Sequence, residues 1–532
     1  MRPRLSSGRA WFRADAALVW GVAVAAALVG VRAAWLYHEA GLTLIHYDAK
    51  AHLVVARRVF DNLTPGWRQL GAVWLPLPHL LNLLPVQIDA CYRTGACAVV
   101  MSIGAFALAA SAVARIVLRA TGSTLAALAA ATVLTLNPDL LYLQSTPMTE
   151  ALLVCFLAWS ASFTWDWLEE PTARHRRRAG WTLAAACLTR YEAWPVTGAL
   201  LVASQWVLSL REGAQATSTP GDTSPGERLA ARRPAPGGRA ARPRLPCAVR
   251  EVLRLSAYPA IAVAAFLLQS RLTVGDWFVT GGFFKPDNID TGNPARAVAS
   301  IWWGAHVIAG HGVEWAATAG LIGAIVAARR NVRRRSLVAL AALLATGALP
   351  AYAFYDGHPF RIRYMTPLVP GLAVGAGLGL GLLRARWRPL AALALVTTML
   401  VEARPFRFDT PMVREAQWDS GNMAARRQVT RCLAAHRDGR PILASMASLA
   451  HYMQETSTAG FNLRDFLHEG NGGLWKAALA SPGRHVGWIL MEEWAEGGDQ
   501  LATRAREHPA FLRGFERVAE GGGVALYRNT GK

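Results

Sequence analysis

Long apolar runs, separated by arginine-rich or polar segments, occupy the first three quarters of this 532-residue sequence. A membrane-spanning helix needs about 20 mostly apolar residues. By that measure the pattern predicts about eleven spanning helices, of which the fifth is short. The predicted spans are 16–37, 94–118, 122–143, 147–168, 179–192, 194–210, 253–272, 305–328, 336–354, 364–383 and 387–402.

The polar segments between the apolar runs fall into two classes. The arginine-rich class comprises the N-terminus, the end of the second span, 174–178, 211–252, 329–335 and 384–388. With eleven crossings these segments all lie on one face, which the positive-inside rule makes cytoplasmic. The first loop, 38–93, and the chain after about 403 then lie outside. The sequence thus predicts a multi-pass protein of the cell (inner or plasma) membrane with a cytoplasmic N-terminus.

The chain changes character near residue 402. Residues 1–402 are predicted to form an α-helical membrane domain, in which 211–252 is a flexible basic cytoplasmic loop rich in Pro, Gly and Ser. Residues 403–532 are predicted to form a small extracytoplasmic α/β domain. Its predicted elements are strands at 441–445 and 486–491, helices after Ala447 and Asp499, and a hairpin at 518–528.

Composition narrows the class of protein further. The net charge of +21 would suit nucleic-acid binding, but most of the excess arginine flanks apolar runs, so no nucleic-acid partner is expected. The six cysteines form no C-x-x-C pair, so neither a metal knuckle nor a disulfide framework is indicated. Cys91 and Cys97 could pair, but small-residue packing is the favoured interpretation. The first apolar run lacks a cleavage site and is expected to remain as a helix.

Ionisable residues near hydrocarbon are costly, so clusters of them at helix ends are candidates for function. The first of four clusters runs from His46 to His52, where a stretch at 49–62, like 78–87, could lie in the membrane interface. Asp48 could act as a general base or orient an attacking hydroxyl, or it could cap the following helix. His46, Asp48 and His52 could also hold a metal, but they offer only a partial ligand set.

The second and third clusters lie in two short turns. In the hairpin 137–150, two prolines break the helices, and Glu150 needs a basic partner or a substrate hydroxyl. In the turn 188–194, Arg190 and Glu192 could pair with neighbours, or Arg190 could hold a phosphate. Tyr191 in the same turn is typical of a membrane interface.

The fourth cluster, 356–370, contains His358, Arg361, Arg363 and Tyr364 at the predicted outer end of a span. Two arginines there run against the positive-inside bias, so something anionic is expected on that side. A lipid-linked phosphate suits the fork geometry of guanidinium. Contact with ordinary lipid headgroups is the alternative.

Taken in order, these motifs resemble the GT-C superfamily of membrane glycosyltransferases. They are an acidic residue after the first span, the hairpin P-x-x-L-Y-x-x-S-x-x-x-T-E, the turn L-T-R-Y-E-x-W, and R-Y-x-x-P-x-x-P entering a late span. The similarity is to bacterial family-39 and RgtA/B/C/D-like proteins, kin of protein mannosyltransferases and aminoarabinose transferases. It covers roughly residues 16–402.

The resemblance implies transfer of a sugar from a polyprenyl-phosphate donor to an extracytoplasmic glycan, lipid or protein, with inversion at the anomeric carbon. It implies that Asp48 is the base or acceptor-orienting group and that Glu150 is a second catalytic candidate. The residues expected to bind the donor phosphate are Arg190, Arg361, Arg363 and Lys50. Those expected to bind other parts of the substrates are His46, Tyr191, Glu192, His358 and Tyr364.

Some members of the superfamily carry paired acidic residues in the first loop, often with a divalent metal. Here Asp48 stands alone and is followed by Lys50, so we expect a reaction without a metal or other cofactor, while Asp89 keeps a second-carboxylate role open. Two other functions remain as alternatives. One is a transporter or lipid flippase, which a deep, water-filled site containing His306, His311 and Glu314 would favour. The other is a polysaccharide polymerase or ligase that uses a lipid-diphosphate donor.

Overall fold

The computed structural model describes residues 8–218, 245–279, 288–494 and 498–531. Helices dominate the described chain up to residue 435. In chain order these are α1 Gly8–Glu39, α2 Tyr47–Arg57, α3 Leu77–Asn82, α4 Asp89–Thr94, α5 Ala96–Thr121, α6 Thr124–Thr135, α7 Pro138–Leu143, α8 Glu150–Glu169, α9 Ala173–Cys187, α10 Ala193–Ser218, α11 Cys247–Thr273, α12 Pro294–Ala309, α13 His311–Arg330, α14 Ala348–Tyr355, α15 Val369–Leu382, α16 Arg388–Ala403, α17 Pro411–Ala416 and α18 Ser420–Ala435.

The remaining elements are shorter. The later helices are α19 Met446–Thr456, α20 Gly473–Ala480, α21 Pro482–His485 and α22 Gln500–Glu507. The strands are β1 Ile442–Ala444, β2 Phe466–Leu467, β3 Trp488–Glu492, β4 Phe515–Gly521 and β5 Val524–Asn529. Segments of 3₁₀-helix are Trp67–Leu70, Pro85–Gln87, Val332–Gly347, Ile362–Leu368, Ala385–Trp387, Ser457–Ala459, Leu463–Asp465, Glu469–Asn471 and Pro509–Leu512.

Eight helices in the described part of the chain are long and apolar enough to cross a membrane. They are Asp15–Glu39, Ala96–Thr121, Glu150–Glu169, Ala193–Ala214, Cys247–Thr273, His311–Arg330, Arg334–Tyr355 and Ile362–Leu382. The predicted multi-pass architecture is confirmed, but the predicted number of about eleven spans is not. Residues 219–244 of the predicted loop 211–252 lie outside the described chain, and its two ends extend α10 and α11.

Several predicted spans are shorter or interrupted. The apolar run 122–143 forms the 12-residue α6 and then a separate helix, α7, because Pro138 disfavours a helical residue before it. The run 305–328 is broken between α12 and α13 at Gly310, whose φ of 80° is one that glycine adopts without strain. The last run forms the 16-residue α16.

Glycines let α13 and α15 pack closely. A Cβ on Gly320 of α13 would collide with the backbone of Gly375 and Gly379 in α15, and one on Gly375 would meet the backbone of Ala317. Small residues at such a crossing allow two membrane helices to approach at backbone distance. The crossing fixes α15, whose N-terminus follows directly from the 3₁₀ segment Ile362–Leu368.

The first loop differs from its prediction. Helix α2 does not lie on the surface with its apolar side in lipid; ten of its eleven residues are buried. Its Leu53 and Val54 belong to the same apolar cluster as Val429 and Leu449 of the C-terminal part. The apolar side of α2 is therefore covered by protein. Cys91 and Cys97 form a disulfide, which corrects the expectation that they pack as small residues.

The C-terminal part contains a five-stranded sheet of order β2-β1-β3-β5-β4. Strands β2 and β3 run parallel to β1, whereas β5 pairs antiparallel with β3 and β4. The predicted strands, the closing hairpin, and the helices α19 and α22 are confirmed. The sequence analysis missed β2 because two residues give no periodic pattern.

Candidate active site at the end of the helix bundle

Asp48 lies in the first turn of α2 and forms a buried ion pair with Arg363, 315 positions later in the chain. The cap of α2 is His46, whose Nδ1 accepts a hydrogen bond from the Asp48 amide at 3.0 Å. The alternative that Asp48 itself caps the helix is therefore wrong. Its carboxylate is available for a partner from another element, and that partner is the Arg363 guanidinium.

The electrostatic surroundings keep Asp48 ionised. Burial alone would raise the pKa of its carboxyl, but the Arg363 guanidinium and nearby His46 hold that pKa below its ordinary value. Burial also lowers the pKa of His46 to about 3, so this imidazole is neutral near pH 7. The charge of this part of the site is then one carboxylate facing one guanidinium.

Arg190 forms the centre of a second charged group. Its guanidinium donates to Glu150 Oε1 at 2.8 Å, to Glu192 Oε1 at 2.7 Å and to Thr149 Oγ1 at 3.1 Å. The Glu150 side chain is fully buried, at 0% exposure. The basic partner that the sequence requires for Glu150 is therefore Arg190.

The two charged groups lie within electrostatic range of each other. Burial disfavours the charged form of Arg190, but Glu150 and Glu192 raise its pKa above the ordinary value against the opposing charge of Arg363. The buried His52 also lies within range of Asp48, Arg190 and Arg363. Residues from α2, the turn before α10, the start of α8 and the segment Ile362–Leu368 thus converge on one end of the helix bundle, here called the Asp48 end.

Several buried polar atoms at the Asp48 end have no hydrogen-bond partner in the described structure. They are Glu150 Oε2, Arg363 Nε, Thr366 Oγ1 and Glu415 Oε1. A buried polar atom without a partner costs roughly 1–3 kcal/mol. Such a concentration at one place is typical of a site that a ligand or water completes.

Glu415 is a residue that the sequence analysis missed. It lies in α17, and its Oε2 accepts a hydrogen bond from the Ile362 amide at 2.6 Å. Burial raises the pKa of its carboxyl, while the nearby Arg363 opposes that rise. The sequence carried little signal for it, since Glu415 follows the last span and lies among residues assigned to the outer domain.

Lys50 does not lie at this site. Its Nζ donates to Glu455 Oε1 of α19 at 2.6 Å, and its side chain is only 2% exposed. Two positions along an α-helix correspond to a rotation of about 200°, so Lys50 and Asp48 leave α2 on opposite sides. This geometry contradicts the prediction that Lys50 binds the donor phosphate.

The other predicted substrate residues lie around these pairs. His358 and Tyr364 pack ring against ring with centroids 5.5 Å apart, and the Arg363 guanidinium stacks over the Tyr364 ring. Arg361 lies within electrostatic range of His46. Tyr191 instead belongs to an aromatic cluster with Trp194 and Phe278, and its hydroxyl donates to the Val73 carbonyl at 3.2 Å. The substrate-binding roles of His358, Arg361, Tyr364 and Tyr191 remain predictions.

Asp89 does not join Asp48. It lies at the start of α4 and pairs with Arg57 at 2.7 Å and with Arg93 at 3.3 Å, with 53% of its side chain exposed. The second-carboxylate role that the sequence left open therefore does not belong to Asp89. The carboxylates that interact with the arginines of the site are Glu150, which pairs with Arg190, and Glu415, which lies within electrostatic range of Arg363.

The suggested metal ligands of the first loop have other partners. His46 Nδ1 accepts the Asp48 amide, and His52 Nδ1 lies 3.0 Å from His79 Nε2. Across the described residues, the group of three potential ligands that does come together is His306, His311 and Glu314. That group lies at the first turn of α13, where the His311 side chain is 64% exposed, and not in the deep passage that a transporter would require.

The arginines at the end of the second predicted span lie at the opposite end of the bundle from Glu150. Arg115 and Arg119, near the end of α5, both pair with Asp166 of α8. Asp166 is 16 residues from Glu150 along the same helix, which is about 24 Å at the α-helical rise. This distance agrees with the prediction that the arginine-rich loops lie on one face of the membrane and the candidate site residues on the other.

No protein-family model matches this sequence. A search among curated proteins also gave no match. Two solved structures of ArnT from Cupriavidus metallidurans, one in the apo state and one bound to undecaprenyl phosphate, match at 13% identity, with a TM-score of 0.54 and 98% of each chain covered. The oligosaccharyltransferase of Archaeoglobus fulgidus, in complex with Zn and sulfate, is 13% identical over 96% of this chain and 73% of its own, but its TM-score of 0.42 is too low to bear on the fold.

The similarity to ArnT extends over almost the full length of both chains. ArnT, an aminoarabinose transferase, is a GT-C protein. The described chain therefore has an ArnT-like fold, and this is the fold that the sequence motifs imply.

Proposed function

We propose that this protein transfers a sugar from a polyprenyl-phosphate donor to an acceptor hydroxyl at the Asp48 end of the bundle. The observation that carries the proposal is the convergence of Asp48, Arg363, Arg190 and Glu150, four residues from separate segments, on one buried site. The fold supports it, because the similar ArnT has been solved with undecaprenyl phosphate bound.

The arginines supply the positive charge that a lipid phosphate requires. The Nε of Arg363 is buried and has no partner in the described structure, so one side of this guanidinium can still donate. Arg190 and Arg361 add further positive charge nearby. As the sugar leaves its carrier, negative charge develops on the phosphate, and fixed guanidinium donors stabilise it.

The ionised Asp48 accepts a hydrogen bond from the acceptor hydroxyl and aims it at the anomeric carbon. In a single displacement, the hydroxyl oxygen forms the new bond from the face opposite the departing phosphate, which inverts the anomeric centre. The hydroxyl proton passes to a carboxylate, and the bonding electrons of the donor leave with the lipid phosphate. Because a carboxylate with a lowered pKa is a weak base, Asp48 suits orientation, and Glu415 with its raised pKa suits proton acceptance.

We propose that no metal is needed at Asp48. The Arg363 guanidinium already lies against the carboxylate to which a divalent cation would bind, and it provides positive charge at the same position. The Asp48 end and the C-terminal domain are assigned to the extracytoplasmic side, and the N-terminus to the cytoplasm, because the arginine-rich segments lie at the other end.

The first test measures carrier binding by purified protein in detergent. Undecaprenyl phosphate should raise the thermal unfolding midpoint, whereas undecaprenol, which lacks the phosphate, should not. The Arg363→Ala variant should lose that response. An equal response to both lipids, or an unchanged response in the variant, would contradict the assignment of the phosphate site.

The second test measures transfer itself. Radiolabelled undecaprenyl-phosphate mannose or aminoarabinose, and the same sugars on undecaprenyl diphosphate, are incubated with the protein and cell-envelope acceptors. We expect transfer from a monophosphate donor and its loss in folded, membrane-inserted Asp48→Asn. Transfer from the diphosphate donor alone would instead support a polymerase or ligase. Undiminished transfer by the variant would refute the role of Asp48.

A further inference from the structure

The break between α12 and α13 brings three metal-ligating side chains together. His306 lies in the last turn of α12, and His311 and Glu314 lie in the first turn of α13. Gly310 turns the chain between them, and the Glu402 side chain of α16 packs against this glycine. None of these residues belongs to the site around Asp48.

The three side chains lie close together, but His311 and Glu314 do not form a hydrogen bond with each other. One nitrogen from each histidine and one Glu314 oxygen all lie within 4.8 Å of each other. The two imidazoles stack with their centroids 3.4 Å apart. The distance from His311 Nδ1 to Glu314 Oε2 is 3.9 Å, which is too long for a hydrogen bond.

The buried atoms of this group need a partner. The Glu314 side chain is 1% exposed, and its Oε1 has no hydrogen-bond partner in the described structure. The Nδ1 of His306 is also buried without a partner there. A buried carboxylate is costly unless it is paired or coordinates a cation, and the adjacent imidazole nitrogens are themselves metal ligands.

We propose that His306, His311 and Glu314 bind one divalent transition-metal ion of the Zn²⁺ type. Two imidazoles and one carboxylate form a donor set that Zn²⁺ accepts, whereas Mg²⁺ and Ca²⁺ prefer oxygen ligands. A water molecule or the Glu402 carboxylate, which accepts the Gly312 amide at 3.2 Å, would complete four-coordination.

The ligand distances allow the ion to bind after a small rearrangement. Bonds of about 2.0–2.2 Å in tetrahedral geometry hold ligand atoms closer together than the present group. His311 is largely exposed, so its ring can turn while Glu314 and His306 stay in place. The bound ion would link the end of α12 to the start of α13, which a single residue, Gly310, connects along the chain.

The proposed metal ion would also stabilise the surroundings of the Asp48 end. Helix α12 packs against the segment Ile362–Leu368, which carries Arg363. Gly304 of α12 lies so close to Met365 of that segment that a Cβ at position 304 would collide with its side chain. The Asn137 side chain also donates to the Ile308 carbonyl of α12 at 2.7 Å. The ion would therefore hold a helix that supports the Asp48 end without touching the reacting groups.

The test uses the full-length protein in detergent after chelation and dialysis. We expect one equivalent of Zn²⁺ to be retained per chain and to raise the unfolding midpoint, and Co²⁺ to give the visible spectrum of a four-coordinate site. Mg²⁺ should do neither. His311→Ala, a change at an exposed side chain that leaves folding intact, should abolish the Co²⁺ spectrum and the midpoint shift.

Two further variants make the result decisive. Glu314→Gln should lose the metal response, yet its metal-free form should be at least as stable as the metal-free wild type, because an unpaired buried charge has been removed. His508→Ala removes an exposed histidine of the C-terminal part and should bind as the wild type does. Retention of Zn²⁺ and of the Co²⁺ spectrum in both His311→Ala and Glu314→Gln would overturn the proposal, as would failure of the wild type to bind either ion.

Discussion

The two sides of helix α2 carry buried charges that are satisfied to very different extents. On one side, Lys50 pairs with Glu455, which also accepts from Arg426, and Arg426 pairs with Asp419 at 2.5 Å. On the other side, Asp48 pairs with Arg363, but the Nε of this arginine has no partner in the described structure. Glu150 and Glu415 each leave one buried oxygen unpaired there as well.

The difference distinguishes a structural interface from a binding site. Charges that join α2 to the C-terminal domain compensate one another, as buried ion pairs must if they are not to destabilise the fold. Charges at the Asp48 end are left incomplete, which is favourable only if another molecule completes them. Substitutions on the Lys50 side should therefore affect stability alone, whereas those on the Asp48 side should also affect transfer.

The largest effect is expected for Asp48→Asn. We expect the transfer rate to fall by about 10²-fold or more, because the acceptor hydroxyl loses the charged group that orients it toward the anomeric carbon. The protein should still insert and fold, since Asn keeps the shape of the side chain, but it should be less stable by about 3 kcal/mol because Arg363 loses its buried partner. Sugar transfer per folded molecule is the measurement. Asp89→Asn is the matched control: it changes an exposed carboxylate of the same loop and should keep the wild-type rate.

The next effect is expected for Lys50→Met, which tests the other side of α2. Removing one partner of a buried ion pair should cost about 3 kcal/mol of stability, while Glu455 keeps Arg426 as a partner. The thermal unfolding midpoint measures the loss, and transfer per folded molecule should change only slightly. Lys476→Met, at an exposed position, is the control. A variant with full stability but no activity would mean that Lys50 does act on the donor.

The fold and the membrane character could be predicted because they depend on local patterns. Long apolar runs specify spans, short buried apolar runs specified β1 and β3, and a glycine turn marked the β4–β5 hairpin. The break at Gly310 was missed because a single glycine within an apolar run carries little signal. The Cys91–Cys97 bond was passed over because spacing alone does not distinguish a bond from packing.

The sequence could predict most of the residues that form the site, but not which of them pair with each other. Sequence motifs indicated Asp48, Glu150, Arg190 and Arg363, and the structure brings them together. Lys50 was misplaced because helical rotation matters more than sequence proximity to Asp48. Glu415 reaches the site through a turn of the chain after the last span, and no local pattern encodes such a contact.

A further prediction concerns Glu415→Gln and acidity. Because burial raises the pKa of Glu415, wild-type transfer should decline as pH falls through that raised value and the carboxyl becomes protonated. The variant should lose this acid limb and show a rate lower by about 10²-fold, the low end for a general base. Glu493→Gln, a change at a partly exposed carboxylate of the C-terminal part that pairs with Arg517, should leave the pH profile as it is.

The stability of the same variant should depend on pH in the opposite sense. A carboxyl whose pKa is raised on folding costs the folded state stability as pH rises through the raised value and the group ionises. Relative to the wild type, Glu415→Gln should thus be more stable at alkaline than at acidic pH. Unfolding midpoints measured across the pH range provide the check, and a pH-independent difference would mean that Glu415 ionises normally.

The smallest effect is expected where the interface of the C-terminal part reaches the surface. Arg464 donates to Asp61 at 2.9 Å, but 64% of its side chain is exposed. Exposed ion pairs contribute about 0–1 kcal/mol, and salt screens them. Arg464→Ala should therefore lower the unfolding midpoint only slightly, and less at high salt.

Asp61 explains why this loss is small. After the substitution, the carboxylate still accepts from Arg57 at 2.9 Å and from the Leu463 amide at 3.2 Å, so it is not left unpaired. Lys50 has no such exposure, and its removal should cost several times more. If Arg464→Ala and Lys50→Met lowered the unfolding midpoint equally, burial would not determine how much each ion pair of this interface contributes to stability. The contrast between the two sides of α2 would then need another cause.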